Sequence, residues 1–233
     1  MIEAIVLAGG FGTRLRSVVS DVPKPMAPIG NKPFLAYLMD HLAKNGVNRV
    51  ILSVGYMSEK IIDYFGCQYA GMEVIYSKEE IPLGTGGAIK LALNLALGDH
   101  VFVFNGDTFL NIELDKVELL WKKIQKPVIV GVSVVDASRF GELKISESRL
   151  IVEGFLEKSS EGCGIINAGC YLLPTNILQE FQNEVNFSFE KDFLQYKNNI
   201  LKFAFYESIG EFIDIGIPSD YIKANSIIFN GCS

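Results

Sequence analysis

Three glycines, Gly9, Gly10 and Gly12, close a short apolar run (Ile2, Ala4, Ile5, Val6, Leu7, Ala8) and lead directly into Thr13 and Arg14. Glycine accepts positive φ and lets the backbone come close to a ligand. Successive N–H groups in such a turn make an anion-binding concavity. Arg14 sets a fixed, forked cation beside it. Lys24 adds a second cation, held between Pro23 and Pro25, which restrict the backbone on either side. Together these residues suit the holding and neutralising of a polyphosphate. Two acids suit the same task. Asp107 lies in Asn105-Gly106-Asp107-Thr108, and Asp214 in the apolar Phe212-Ile213-Asp214-Ile215-Gly216. Magnesium prefers oxygen ligands and commonly takes one or two carboxylates plus substrate phosphates. An ionised acid among apolar residues needs a partner or a metal. Each feature also has a plainer reading: a glycine turn, an N-G-D-T turn, a hydrogen-bonded aspartate.

Two phosphate loops are excluded by spacing. A dinucleotide fingerprint needs Gly or Ala where Leu15 stands, and no window near Gly9 supplies G-x-x-x-x-G-K-S/T.

The elements that must position these residues alternate in type. Strands are predicted near 2–8, 50–54, 73–76 and 100–104. Helices are predicted over Pro33 to Gly46, over a short segment capped by Ser58, over Thr85 to Leu97 with Gly98 as its stop, and over Asp115 to Gln125 capped by Asp115. This order gives a mostly parallel sheet with helices on both faces. Ligands of such sheets sit beyond the carboxyl ends of the strands, where Gly9–Gly12 and Asp107 fall. After Pro127 the pattern becomes β-rich: 128–135, a hairpin of 141–145 with 150–156, then 165–173 and 201–206. Pro174 is expected to open a short helix and Pro218 the last one, to Phe229. The expected organisation is one domain over 1–233. Residues 1–126 form a nucleotide-binding half and 127–233 a sugar-binding half that extends the same sheet.

The 233 residues are 49% hydrophobic and 21% charged, enough for a sizeable α/β core. A net charge of −6 argues against general nucleic-acid binding and makes a metal the natural means of holding a triphosphate. Four cysteines without C-x-x-C spacing read as reduced thiols, and His41 and His100 form no zinc pattern. No signal-peptide pattern and no membrane-spanning apolar run is seen, so a cytoplasmic protein without a membrane partner is expected.

The strings AGGFGTRL and PKPM resemble the signature of the sugar nucleotidyltransferases, which join a sugar 1-phosphate to a nucleoside triphosphate. The resemblance runs from Gly9 to Pro218. It implies the nucleotide-diphospho-sugar transferase fold, a Rossmann-like mixed, mostly parallel α/β sheet sandwiched by helices. It is strongest towards short stand-alone guanylyltransferases acting on heptose 1-phosphate. Mannose 1-phosphate guanylyltransferases and uridylyltransferases are the alternatives, and a non-catalytic nucleotide-sugar sensor is the reading from another class. A homo-oligomer is compatible with all of them.

By resemblance, Arg14, Lys24, Asp107, Lys158 and Asp214 carry the catalytic work, with Asp107 and Asp214 sharing Mg2+. The nucleotide falls to Leu7, Ala8, Gly9, Gly10, Gly12 and Thr13. Its base falls to Gly84 and Thr85 of the Leu83-Gly84-Thr85-Gly86-Gly87-Ala88 string and to Glu79 or its neighbour Glu80. Relatives specific for uracil or thymine often carry Gln there. A carboxylate instead accepts the paired N1–H and N2–H of guanine, so GTP is the expected triphosphate. The sugar 1-phosphate falls to Gly106, Gly141, Glu157, Lys158, Asn167, Gly169 and Glu190. Glu190 is preferred over Asp192 in the Phe189-Glu190-Lys191-Asp192 segment. The sequence departs from the family in Ser159, where proline follows the E-K pair, and in Phe212, where tryptophan is common.

Overall fold

The structure, a computed structural model, describes residues 1–15, 18–156, 162–181 and 185–231, without the side chains of 226–231. The first half runs β1 (Ile2–Leu7), a small hairpin β2 (Pro28–Ile29) and β3 (Lys32–Pro33), α1 (Phe34–Lys44), β4 (Val47–Val54), α2 (Ser58–Phe65), β5 (Gln68–Tyr69), β6 (Met72–Lys78), α3 (Gly84–Leu93), β7 (His100–Asn105), β8 (Thr108–Leu110) and α4 (Leu114–Ile124). The second half runs β9 (Val128–Val134), β10 (Glu142–Ile145), β11 (Val152–Leu156), β12 (Gly164–Pro174), a π-helical turn (Phe189–Leu194), α5 (Gln195–Leu201), β13 (Ala204–Ser208), β14 (Phe212–Asp214) and α6 (Pro218–Gly231).

Strands of both halves share one sheet. β1 pairs in parallel with β4 on one side and β7 on the other, and β4 pairs in parallel with β6. The chain therefore winds outward through β4 and β6, then returns to lay β7 against the free side of β1. That reversal makes the crevice between the carboxyl ends of β1 and β7 the expected ligand position. β12 continues the sheet antiparallel to β7, and carries β9 and β10 in turn. Alternate residues of the strands feed two cores. Ala4, Val6, Val50, Leu52, Phe102 and Phe104 pack with α1 and α4. Ile5, Ile51, Val101 and Val103 pack with α3 and with Phe187, Phe189 and Phe193 on the other face.

A third cluster, absent from the sequence reading, joins distant segments. Leu15, Ala27, Ile29, Phe34, Ile213, Ile215, Tyr221 and Ala224 bury one another. It fastens the glycine loop and α6 to the segment that carries Asp214.

Several predicted ends move for identifiable reasons. α3 stops at Leu93 rather than Leu97, and the N–H groups of Leu97 and Gly98 donate instead to Glu3 Oε2, at 2.8 and 2.7 Å. Ser58 is the first helical residue of α2 rather than its cap; Met57 precedes it in the left-handed region, at φ 53°. Asp115 lies inside α4, whose first N–H, on Leu114, is met by Asn45 Oδ1 at 3.3 Å. Pro174 ends β12 and is followed by turns, with Thr175 N–H tied to the Asp99 carbonyl. β13 begins at Ala204, because α5 occupies the chain as far as Leu201.

Candidate active site

The carboxyl ends of β1 and β7 open into a cleft of about 690 Å³. Its floor and rim include Leu7, Gly9, Gly10, Gly12, Thr13, Arg14, Lys24, Glu79, Gly84, Thr85, Asp107 and Asp214. One cleft thus gathers every expected nucleotide residue except Ala8, which is buried behind it, and every expected catalytic residue except Lys158. Glu157 and Lys158 lie outside the described residues.

What brings the two acids together is a pair of very short strands. β8 and β14 run antiparallel, with Thr108 opposite Asp214. The next backbone hydrogen bond, Ile215 N–H to the Asp107 carbonyl at 3.1 Å, pins the acids side by side. Ile213 and Ile215 point into the third core while Asp214 points into the cleft, as alternation along a strand requires. Burial raises the Asp214 pKa, and the neighbouring Asp107 charge raises it further; Lys24 acts in the opposite sense. Asp107 is itself ion-paired to Lys24. The site therefore holds two carboxylates against one directly paired lysine, with Arg14 exposed at the rim.

The loop glycines have separate reasons. Gly12 takes φ +58°, and a Cβ there would sit 2.6 Å from Lys24 Cβ. Gly9 needs no positive φ; a Cβ on it would come within 2.6 Å of Glu79 Oε1. Gly10 meets nothing within 4 Å, so it faces open cleft. Gly9 thus links the glycine loop to the expected base acid. The Glu79 carboxylate also accepts from Leu83 N–H at 3.1 Å, just before α3, and from the Ser53 hydroxyl at 3.4 Å. Glu79 is half-buried and held from three sides, whereas Glu80 is exposed.

The described residues expected at the sugar, Gly106, Gly141, Asn167, Gly169 and Glu190, stand beside this cleft rather than in its lining. Glu190 accepts from Thr85 Oγ1 at 2.8 Å and from the buried Tyr171 hydroxyl at 3.5 Å. Asn167 donates to that same hydroxyl at 2.7 Å, and its Oδ1 accepts from Gly169 N–H at 3.1 Å. Gly141 receives Asn167 N–H on its carbonyl. Gly106 has a packing reason of its own: its N–H donates to the Leu7 carbonyl, and a Cβ would press to 2.6 Å from that oxygen. Beyond Asp214 and Arg14 a second hollow of about 330 Å³ continues, walled by Ser138, Arg139, Phe140 and Ile217. Phe212, in the place where tryptophan is common, packs edge-on to Phe140 at 5.7 Å.

The family profile described as nucleotidyl transferase matches residues 3–230. The chain belongs to the nucleotidyl transferase family. It is 43% identical over 219 residues to a D-glycero-alpha-D-manno-heptose 1-phosphate guanylyltransferase of Campylobacter jejuni, covering 94% of this chain and 96% of that protein. Identity to the Aneurinibacillus thermoaerophilus enzyme of the same name is 44% over 223 residues, covering 95% and 96%. The structure superposes on crystalline HddC from Yersinia pseudotuberculosis with a TM-score of 0.87 and 40% identity, over 98% of this chain and 100% of that one; HddC has also been crystallised complexed with GMP-PN.

In this nucleotidyl transferase several cleft residues went unnoticed in the sequence. Asn105, Gly55, Tyr56 and Gly216 all line it. Tyr56 stacks at a tilt on Phe11, with ring centroids 5.4 Å apart, and so walls the glycine loop. Gly216 N–H donates to Asp214 Oδ1 at 2.6 Å, where a Cβ would come within 2.4 Å of that oxygen. The late D-I-G string was therefore readable as a carboxylate closing on the N–H two residues on. Asn105 belongs to the N-G-D-T string that drew attention only for its acid.

Proposed function

We propose that this nucleotidyl transferase moves a guanylyl group from GTP to D-glycero-α-D-manno-heptose 1-phosphate, giving GDP-heptose and pyrophosphate. One observation carries the reading. The glycine loop, its two cations and the two acids converge on one cleft at the β1–β7 reversal, in a chain that matches two heptose 1-phosphate guanylyltransferases over almost all of their length. The mannose 1-phosphate guanylyltransferase of Mycobacterium tuberculosis is 32% identical, and this chain covers 65% of it.

An oxygen of the sugar phosphate attacks the α-phosphorus of GTP. One P–O bond forms, the bond from the α-phosphorus to the bridging oxygen breaks, and pyrophosphate leaves with that electron pair. The attacking oxygen is already ionised, so the chemistry asks for alignment and charge neutralisation more than for a general base. The loop N–H groups of Gly9–Gly12 suit the triphosphate, and Arg14 and Lys24 offset the charge that builds on the departing pyrophosphate. Lys158 is assigned to the phosphate of the sugar. Glu79 accepts the two N–H donors of the guanine edge.

Asp107 and Asp214 are the residues that would hold Mg2+. Their fit to the ion rests on two adjacent carboxylates, one with its pKa raised by burial and by the other, at the mouth of an open cleft. The described residues contain no group of three or more His, Cys, Asp or Glu able to enclose a metal. That suits an ion completed by substrate phosphates and water rather than by protein. When bound, it would withdraw charge from the α-phosphate. No helix among the described residues is long and apolar enough to cross a membrane. In this reading the enzyme works in the cytoplasm and makes sugar nucleotides for cell-surface polysaccharide.

The test is a matrix of GTP, ATP, UTP and dTTP against heptose, mannose and glucose 1-phosphates, with products weighed by mass spectrometry. GTP with the heptose 1-phosphate is expected to give the fastest product. Faster turnover of UTP would overturn the base assignment, and product from no combination would overturn the reaction.

A further inference from the structure

The turn between β9 and β10, residues 135–141, leans on the segment that carries Asp214. Within the turn, Ser138 N–H donates to Asp136 Oδ1 and Phe140 N–H to the Ala137 carbonyl, both at 2.9 Å. Its last residue is Gly141, one of those expected at the sugar. Gly141 has no positive φ, and a Cβ there would meet nothing within 4 Å. Neither conformation nor packing asks for glycine at this place, which leaves its face open to a ligand.

Two contacts fasten the turn across to β14 and α6. Phe140 packs edge-on to Phe212, the first residue of β14. Arg139 reaches Asp220 in the first turn of α6: Nη1 donates to Oδ1 at 3.2 Å, and Nη2 donates to Oδ2. The same guanidinium lies 5.4 Å from the centroid of the Phe140 ring, so one side chain braces both contacts. Asp214 stands between Phe212 and Asp220 in the chain. The hollow beyond it is walled by Ser138, Arg139 and Phe140 from the turn and by Ile217 from the segment.

Neither Arg139 nor Asp220 is deeply buried, and a pair of that kind adds little to stability. Its two parallel bonds still fix distance and orientation. The pair also keeps a third acid in check. The Asp214 pKa is raised first by burial, then by Asp107, and also by Asp220, whose charge Arg139 offsets.

We infer that Arg139 is a positioning residue. Its fork on Asp220 fixes the turn bearing Gly141 against the segment bearing Asp214, and so holds the acceptor side of the site in register with the paired acids. The inference rests on the reaction proposed above.

Arg139→Leu, Asp220→Ala and the double variant are compared with the unmodified enzyme by pyrophosphate release. The substrates are GTP and the sugar 1-phosphate that the enzyme turns over fastest, each varied with the other saturating. Each single variant should lose about tenfold in kcat/KM for the sugar phosphate and less than about twofold in kcat/KM for GTP. The double variant should lose no more than either single one, because both substitutions remove the same contact. All three should melt within a few degrees of the unmodified chain. An unchanged kcat/KM for the sugar phosphate overturns the inference. So do equal losses towards both substrates, or losses that track a lowered melting temperature, since these mark a general loosening. Losses that multiply in the double variant overturn it too: Arg139 would then act without Asp220, as a direct contact to the substrate. Failure of the unmodified enzyme to turn over any pair is a different result and counts against the reaction itself.

Discussion

The two ends of the central sheet each bury acid, and they treat it in opposite ways. At the amino ends of the strands, Glu3 of β1 is 2% exposed and Arg49 of β4 is 6% exposed. Glu3 receives the Arg49 guanidinium and the N–H groups of Leu97 and Gly98. Arg49 in turn donates to the Leu95 carbonyl at 2.8 Å and to Glu73 at 3.0 Å. At the carboxyl ends, Asp107 and Asp214 crowd together in a cleft, and Asp214 is pushed towards its protonated form by burial and by Asp107. The first end is a closed set in which the acid's neighbours are donors. The second sets two acids side by side at the mouth of an open cleft, with Lys24 paired to one of them. A buried pair with all its partners is costly to break from one side, whereas crowded acids with a shifted pKa in a cleft mark a candidate functional site.

The sharpest way to break this contrast is at Asp107. Asp107→Asn keeps the shape and removes the charge. Turnover should fall by about 10³-fold or more, in line with losses seen when one electrostatic contact to a transition state is removed. Melting should stay within a few degrees of the unmodified chain. Added Mg2+ with GTP should raise the melting temperature of the unmodified enzyme and do little for the variant. Pyrophosphate release and thermal melts read all three. Retained turnover would remove Asp107 from the chemistry.

The mirror experiment is Glu3→Gln at the opposite end. A single amide oxygen cannot replace a carboxylate that accepts from Arg49, Leu97 and Gly98, and the guanidinium loses its most buried partner. Breaking a buried pair from one side costs about 3–5 kcal/mol. Arg49 keeps Glu73, so the lower end of that range is expected, read as a shifted urea midpoint with unchanged slope. Below its melting range the variant should keep near-normal kcat. A large loss of kcat with little loss of stability would mean that the two ends are not separate in role.

The contrast was half legible in the sequence. The glycine run, Arg14, Lys24 and the Asp107 turn could be read locally, because turn chemistry and a strand end are short-range signals. The alternation of elements followed from hydrophobic periodicity. Asp214 was noticed for its apolar setting, but what seats it beside Asp107 is β8 against β14, strands of three residues each, too short to show a period. The third core that holds this segment draws on Leu15, Phe34, Ile213 and Tyr221, residues that read as unrelated because only the folded chain brings them together. The Glu3–Arg49 pair was invisible for the same reason: a charged residue in an apolar strand looks like solvent exposure until its partner is seen. It also accounts for the misplaced end of α3, since Glu3 takes the N–H groups that a longer helix would have used.

The finest test of the contrast is Asp214→Asn. If the carboxyl ends of the strands hold charge at a cost to stability, neutralising the more buried acid should stabilise the unliganded protein while lowering turnover. The gain expected near pH 7 is about 1 kcal/mol, roughly 2–4 °C for a chain of this size. The sign can be checked against pH. Because burial and Asp107 raise the Asp214 pKa, the native state binds that proton more tightly than the unfolded chain does. The acid therefore contributes stability that is fully present below its unfolded pKa, near 3.8, and is lost as pH rises through its higher native value. The asparagine variant has no such term. Its advantage over the unmodified protein should be largest at neutral pH and should narrow as the medium is acidified. An advantage that widened on acidification would mean that Asp214 is held ionised by a partner, and the site would then resemble the Glu3 end.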